Sequence, residues 1–244
     1  MPKEIHKFKA IDIADLAFPP REGGYVRGHE AREKILRSAL RILVEDGYCA
    51  MSMRRVAAES DMKMGNLTYH FPSREGLVRD LLDAVTRSYE IEFDAIASTT
   101  GAPPEQRLAD LCRLILEDLR TKKTTRLFPE LWALSNHDSY VLERVQEMYK
   151  RARRPLHEFI LEMRPDLSEA TRQDIALFIS ASMEGMTVFV GHDKPFEPRL
   201  PSLEVIAIQA FIDIVRNFHE AVAPALPDTE QVRCPAPSVG LSKG

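Results

Sequence analysis

Wherever apolar residues recur along this chain they return at intervals of three and four, and nowhere do they alternate over a strand's length. Ile35, Leu36, Ala39, Ile42 and Leu43 fall on one face when placed at 100° per residue. So do Leu77, Leu81, Leu82, Val85, Phe93 and Ile96, then Leu108, Leu111, Cys112, Ile115 and Leu119, then Leu127, Leu131 and Leu134. A half-buried strand would place every second residue on one face, and no run of that kind bounded by turn residues occurs. The expected fold class is therefore all-α.

Boundaries follow from breakers and caps. The first helix is expected over 31–46, stopped by Gly47. Ser52 caps a short helix through Glu59, and a second short one runs from Lys63 to His70. Ser73 caps a long helix to Ala97. Another long helix, 139–163, turns Val141, Val145, Met148, Ala152, Phe159 and Met163 inward, with a kink expected at Pro155. Two more follow over 169–191 and 202–222. These segments suggest an N-terminal arm over 1–29, a small helical domain over 30–75, a larger one over 76–224 and a disordered Pro-rich tail over 225–244.

Hydrophobic residues at 44% and charged residues at 29% are globular values and exclude wholesale disorder. No stretch approaches the ~18 apolar residues of a membrane span, and the first ten residues contain no signal-peptide core. A soluble, cytoplasmic protein without membrane contact is expected. Cys49, Cys112 and Cys234 are odd in number and widely spaced, which suits a reducing compartment. The net charge of −4 argues against a general polyanion binder, yet the first 80 residues hold 14 Lys+Arg against 12 Asp+Glu. The N-terminal third thus permits nucleic-acid contact without requiring it.

Two short helices joined by a tight turn and packed on a preceding third are the helix-turn-helix arrangement, whose second helix enters a DNA major groove. That geometry needs a small residue at the helix crossing, a residue tolerant of left-handed dihedrals in the turn, and an apolar anchor for the second helix. Ala57, Asp61 and Leu67 occupy those places. The segment from Gly47 to Leu77, GYCAMSMRRVAAESDMKMGNLTYHFPSREGL, resembles the DNA-binding domain of the TetR family of transcriptional repressors. The residues in register are Gly47, Ser52, Met53, Val56, Ala57, Gly65, Leu67, Tyr69, Phe71, Ser73, Arg74, Glu75 and Leu77. Asp61 departs from the family's usual glycine.

The resemblance implies that Lys63, Met64, Asn66, Thr68 and Tyr69 form the exposed face of a recognition helix, with Arg54 reaching a base from the helix before it. Backbone positioning would fall to Ser52, Tyr69, His70 and Arg74. The chemistry agrees. Arg can fork onto guanine, Asn can pair with adenine, and Thr or Met can meet a thymine methyl, while helix N-termini favour phosphates. Without the resemblance, Arg54, Arg55 and Lys63 would read as a solvated face and Tyr69 as packing.

The family's C-terminal domains dimerise and enclose a small-molecule pocket, so the resemblance also implies a homodimer and an effector. The last two helices carry more apolar surface than one core contact needs. On the first of them, Ile175, Phe178, Ile179, Met183, Met186, Phe189 and Val190 form a larger face. Leu177, Ala181, Gly185 and Val188 form a smaller one, expected at the dimer interface together with Ile208, Phe211, Ile212 and Val215. Candidates for the pocket wall are Trp132, His137, Tyr140, Met148, Tyr149, Phe159, Met183, Met186 and Phe189, with Asn136, His137, Asp138 and Glu184 as polar anchors. Most of these fit an ordinary core equally well. The resulting expectation is a regulator that binds an operator as a homodimer and is released by a largely apolar effector. The alternative is a helical dimer acting as an enzyme or a protein-interaction module. No nucleophile elbow, phosphate-binding glycine loop or His-Glu-x-x-His zinc signature supports an enzyme. His192-Asp193 reads as a loop feature, and neither cofactor nor metal is expected.

Overall fold

The computed structural model describes residues 26–98 and 101–220. Most of the 1–29 arm, the tail beyond 220 and Cys234 lie outside the described residues. Among the described residues every regular element is helical: α1 (Val26–Asp46), α2 (Met53–Glu59), α3 (Met64–His70), α4 (Arg74–Ala97), α5 (Pro104–Asp118), α6 (Lys122–Ser135), α7 (Ser139–Met163), α8 (Glu169–Val190) and α9 (Leu200–Asn217). Single 3-10 turns cover Tyr48–Ala50 and Glu197–Arg199. The helix α1 starts five residues before the expected Ala31, because the buried stripe that betrayed it begins only at Ile35. α7 runs through Pro155 as one helix, so the expected kink does not interrupt it.

Helix starts follow the capping residues. Ser52, Ser73, Thr121, Asp138 and Ser168 each accept a bond from a first-turn backbone N–H, while α5 starts on Pro104. Gly47 ends α1 at φ 82°, and a Cβ there would sit 3.0 Å from the Glu130 carboxylate of α6.

Two apolar cores organise the chain. The first gathers Leu36, Leu40, Met51, Val56, Leu67, Phe71 and Leu77, but also Leu127, Phe128 and Leu131 of α6 and Val145 and Met148 of α7. The second gathers the end of α4 with α5, the later half of α7, α8 and α9. The N-terminal helices therefore rest on α6 and α7, and Tyr89 of α4 packs against both cores.

Two expectations about the last helices are corrected here. Ile208, Phe211 and Val215, expected at the dimer interface, are buried inside the protomer, and Ile212 is partly so; Val205 and Ile206 are the exposed large apolar residues of α9, at 68% and 62%. Phe178 and Phe189, expected on the inner face of α8, are instead 53% and 61% exposed. Leu177, Ala181, Gly185 and Val188 do face outward. A helix apolar around most of its circumference has no single direction of burial in its sequence. The rotation of α9 was decided by its contacts with α5 and α8.

Candidate functional site

The turn between α2 and α3 is built as the motif requires. Asp61 takes φ 52°, and the Asp61 and Met62 amides donate to the Ala58 and Ala57 carbonyls at 3.1 and 2.9 Å. Leu67 is wholly buried and seats α3 on the core beside Ala57. This anchor turns Lys63, Met64, Gly65, Asn66 and Tyr69 outward; Tyr69 is 81% exposed. Among the described residues, neither Arg54 nor Lys63 has an ion-pair partner, whereas Arg55 is committed to Asp46 at 2.5 Å.

Other expected contact residues are less available. Thr68 is half-buried and its hydroxyl donates to the Met64 and Gly65 carbonyls at 3.1 Å. His70 is partly buried, edge-on to the Tyr69 ring at 5.2 Å. Ser52 and Ser73 cap their helices. Arg74, expected on a phosphate, is turned inward: its guanidinium donates to the Tyr48 carbonyl at 2.6 Å and lies 3.8 Å over the Tyr48 ring. The Tyr48 amide donates in turn to Glu130 at 3.0 Å. Arg74 and Glu130 thus clamp the turn that precedes α2, tying it to α6.

A chamber lies partly open among α4, α5, α6, α7 and α8. Its walls are mostly apolar, from Phe93, Ile115, Leu119, Phe128, Met148, Ala152 and Leu156. At its rim Arg151 of α7 pairs with Glu90 of α4 at 3.2 Å. Two carboxyl groups interrupt the apolar wall. Asp118 is buried and bonded to Lys123, to the Tyr89 hydroxyl and to Thr124. Glu184 stands in the wall with Tyr149, whose hydroxyl oxygen accepts from the Trp132 indole at 2.8 Å. Burial pushes the Glu184 carboxyl up to about 7, with Asp118 adding to the shift, and raises the Tyr89 and Tyr149 phenols well above their ordinary range.

Of the nine expected wall residues, only Met148 and Tyr149 line this chamber. Trp132 stands one layer behind, bonded to Tyr149; Phe159 and Met183 fill the second core, and Met186 packs at its edge. Tyr140 lies against Arg79, 4.6 Å from ring centroid to guanidinium. His137 and Phe189 face solvent. Of the polar anchors, Glu184 is in the wall, Asp138 caps α7, and Asn136 is exposed. Sequence reasoning missed Tyr89, Phe93, Asp118, Thr124, Phe128 and Ser180. Asp118 carried no signal, since a helix-terminal Asp near a Lys reads as surface. Glu184 did carry one, as the one charged residue between Ile175 and Val190. His192 and Asp193 sit with Glu197 in an exposed loop, where Asp193 takes φ 59° and its amide donates to Glu197 at 2.8 Å.

Residues 35–81 match the family model described as bacterial regulatory proteins, tetR family, and residues 104–208 match that of the BetI-type transcriptional repressor C-terminal domain. Together they span more than half of the sequence. The chain belongs to the tetR family of bacterial regulatory proteins. As a tetR-family member it is a transcriptional regulator. It is 27% identical over 203 residues to an uncharacterised HTH-type transcriptional regulator in the dhlA 5' region of Xanthobacter autotrophicus, covering 81% of this chain and 90% of that one. A tetR-family regulator from Mesorhizobium loti MAFF303099 shares its fold at TM-score 0.65 and 13% identity, over 78% of this chain and 98% of that one. A transcriptional regulator from Saccharomonospora viridis, solved in complex with choline, does so at 0.57 and 21%, over 77% and 96%. Among the described residues, no helix of this tetR-family chain is long and apolar enough to cross a membrane.

Proposed function

We propose that the chain is a homodimeric repressor that reads a near-palindromic operator with α3 and is released from it by a small effector held in the chamber. The observation that carries the DNA reading is the outward face of α3, where the side chains of Lys63, Met64, Asn66 and Tyr69 face solvent, Tyr69 at 81% exposure. Arg54 adds an uncommitted cation from α2. Base contacts would come from Arg54, Lys63, Met64 and Asn66, and phosphate contacts from Tyr69 and the α2 and α4 N-termini.

One α3 alone reads a half-site weakly, so a pair set ~34–36 Å apart is needed. Leu177, Phe178, Val188, Phe189, Val205 and Ile206 expose apolar area on two adjacent helices, α8 and α9. That area supports a four-helix interface with a second copy, across a two-fold axis. That the Saccharomonospora viridis neighbour was solved in complex with choline supports a small-molecule effector.

α4 bears α3 at its start and lends Thr86, Tyr89, Glu90 and Phe93 to the chamber. α6 lends Thr124 and Phe128 to the chamber and holds the Tyr48 turn through Glu130. An effector that favours one setting of these two helices changes the spacing of the paired α3 helices. It weakens DNA binding by the same coupling free energy, typically ~1–3 kcal/mol.

The test is a gel shift with duplexes selected from a random library at low salt. A selected palindrome should bind with a steep salt dependence, and Tyr69→Ala should lose the shift at unchanged melting temperature. Sedimentation should give a dimer that Val188→Glu converts to monomer. A protein that ignores every duplex, or Val188→Glu protein that stays dimeric, would refute the corresponding part.

A further inference from the structure

We propose that the chamber takes an uncharged carbonyl compound, a ketone, ester or lactone on an apolar body, with its oxygen held by Ser180 and Glu184 of α8 and its body among Phe93, Ile115, Phe128 and Leu156. The proposal rests on the chamber being the effector site, and not on DNA binding.

The polar side chains of the wall fall into two groups. Asp118 takes the single protons of the Tyr89 and Thr124 hydroxyls together with the Lys123 ammonium, which also donates to the Tyr89 oxygen at 3.1 Å. Those hydroxyl protons are spent within the fold. On α8 the reverse holds. Ser180 lines the chamber at only 8% exposure, yet among the described residues its hydroxyl makes no hydrogen bond. Ser88 and Ser182, also inside helices, each donate back to the carbonyl four residues earlier, at 2.9 and 2.8 Å. Ser180 does not, and its hydroxyl is left to the cavity. Glu184 follows four residues later on the same side of α8 and lines the same chamber, with no ion-pair partner among the described residues. A buried hydroxyl without a partner is costly, and a ligand atom that accepts its proton removes that cost.

The chemistry of that atom follows from what α8 offers. Burial, with Asp118 adding to it, raises the Glu184 carboxyl to about 7, so below neutrality it keeps its proton. Ser180 and Glu184 are then two O–H donors one helical turn apart in a mostly apolar wall. They call for one oxygen with two lone pairs and no proton of its own, which is a carbonyl. A hydroxyl ligand brings a proton that must find an acceptor in the same wall. A carboxylate would set its charge beside Asp118, and an ammonium has no lone pair for either donor.

The groups that face Glu184 or its neighbours are Tyr149 and Arg151 on α7, Asp118 on α5, Tyr89 and Glu90 on α4, and Lys123 on α6. At the rim, Arg151 and Glu90 pair with each other. A carbonyl selects the protonated carboxyl, so its affinity falls as pH rises through 7.

The test follows the fluorescence of Trp132, the single tryptophan of the sequence, which is bonded to Tyr149 of the wall. Nonan-2-one, nonan-2-ol, nonanoate and nonyltrimethylammonium are titrated into the DNA-free protein from pH 6 to 8. At pH 6 the ketone should bind about fivefold more tightly than the alcohol, and about tenfold or more above either ion. Its affinity should fall about tenfold between pH 6 and 8. Ser180→Ala should lose about fivefold at pH 6, and Glu184→Met at least as much. Glu184→Gln, whose amide still donates, should hold the ketone equally at pH 6 and 8. The proposal is overturned if the alcohol or either ion matches the ketone at pH 6, if ketone affinity stays flat or rises with pH, if Ser180→Ala and Glu184→Met keep it, or if no probe binds. A gel shift on the same preparation separates the two readings: ketone binding that leaves the DNA complex intact sinks the effector reading and leaves the carbonyl site, whereas a duplex bound by protein that takes up no ketone sinks the carbonyl site alone.

Discussion

Replacing Glu184 by Gln should stabilise the protein, and by an amount that depends on pH in a way nothing else in the fold imitates. The Glu184 carboxyl titrates near 7 in the folded chain against an ordinary value of 4.5. Because its folded value is raised, the folded state keeps a proton that the unfolded state has already released. The stability linked to that proton is whole below 4.5, declines as pH rises, and is fully lost above about 7. At ~1.4 kcal/mol per unit, the full loss is on the order of 3 kcal/mol. Gln never ionises and nearly matches Glu in shape. The gap between variant and wild type should therefore widen by about 2 kcal/mol between pH 5.5 and 8, whatever constant offset the substitution carries. Urea unfolding of both proteins at equal protein concentration measures it, and the subtraction cancels every other titrating group. A gap that stays flat over that range would mean that Glu184 is ionised throughout and that burial does not govern it.

Gly65 lies inside α3 with open space where a Cβ would stand, so the fold has no use for a glycine there. Gly65→Ala should raise stability by ~0.5–1 kcal/mol while weakening DNA binding at least tenfold, because the added methyl obstructs close approach to the duplex; unfolding and gel shift read the two signs separately. Asp61 sits at φ 52°, and Asp61→Gly should raise the unfolding free energy by about 0.5–1 kcal/mol with DNA affinity unchanged. Glu130→Ala removes the acceptor of the Tyr48 amide and should cost ~1–2 kcal/mol in urea unfolding; no loss would show that the clamp on the Tyr48 turn is not stabilising.

The helix-turn-helix could be read from the sequence because its determinants are local. Ser52, Ala57, Asp61 and Leu67 act within a few residues of one another, and the structure places each in the role that its chemistry suggested. The contacts of Arg74 could not be read from its neighbours in the sequence, because its partners, Tyr48 and through it Glu130, lie 26 residues before it and 56 after it. The chamber was read poorly for the same reason. Methionine and aromatic content along α7 and α8 drew attention to Phe159 and Met183, which fill the core, while the wall took Tyr89 and Phe93 from the flank of α4.

The order of turns and caps, and the residues on α3 that face away from their anchor, were already determined by the amino-acid sequence, since each depends on spacing within a turn or two of helix. The tertiary structure alone decided the rotation of α9, the neutral-range carboxyl of Glu184 and the five-helix wall around it. Those depend on which faces meet between helices far apart along the chain. A helix apolar on several sides, or a carboxyl whose neighbours come from other helices, carries no record of that meeting in its own sequence.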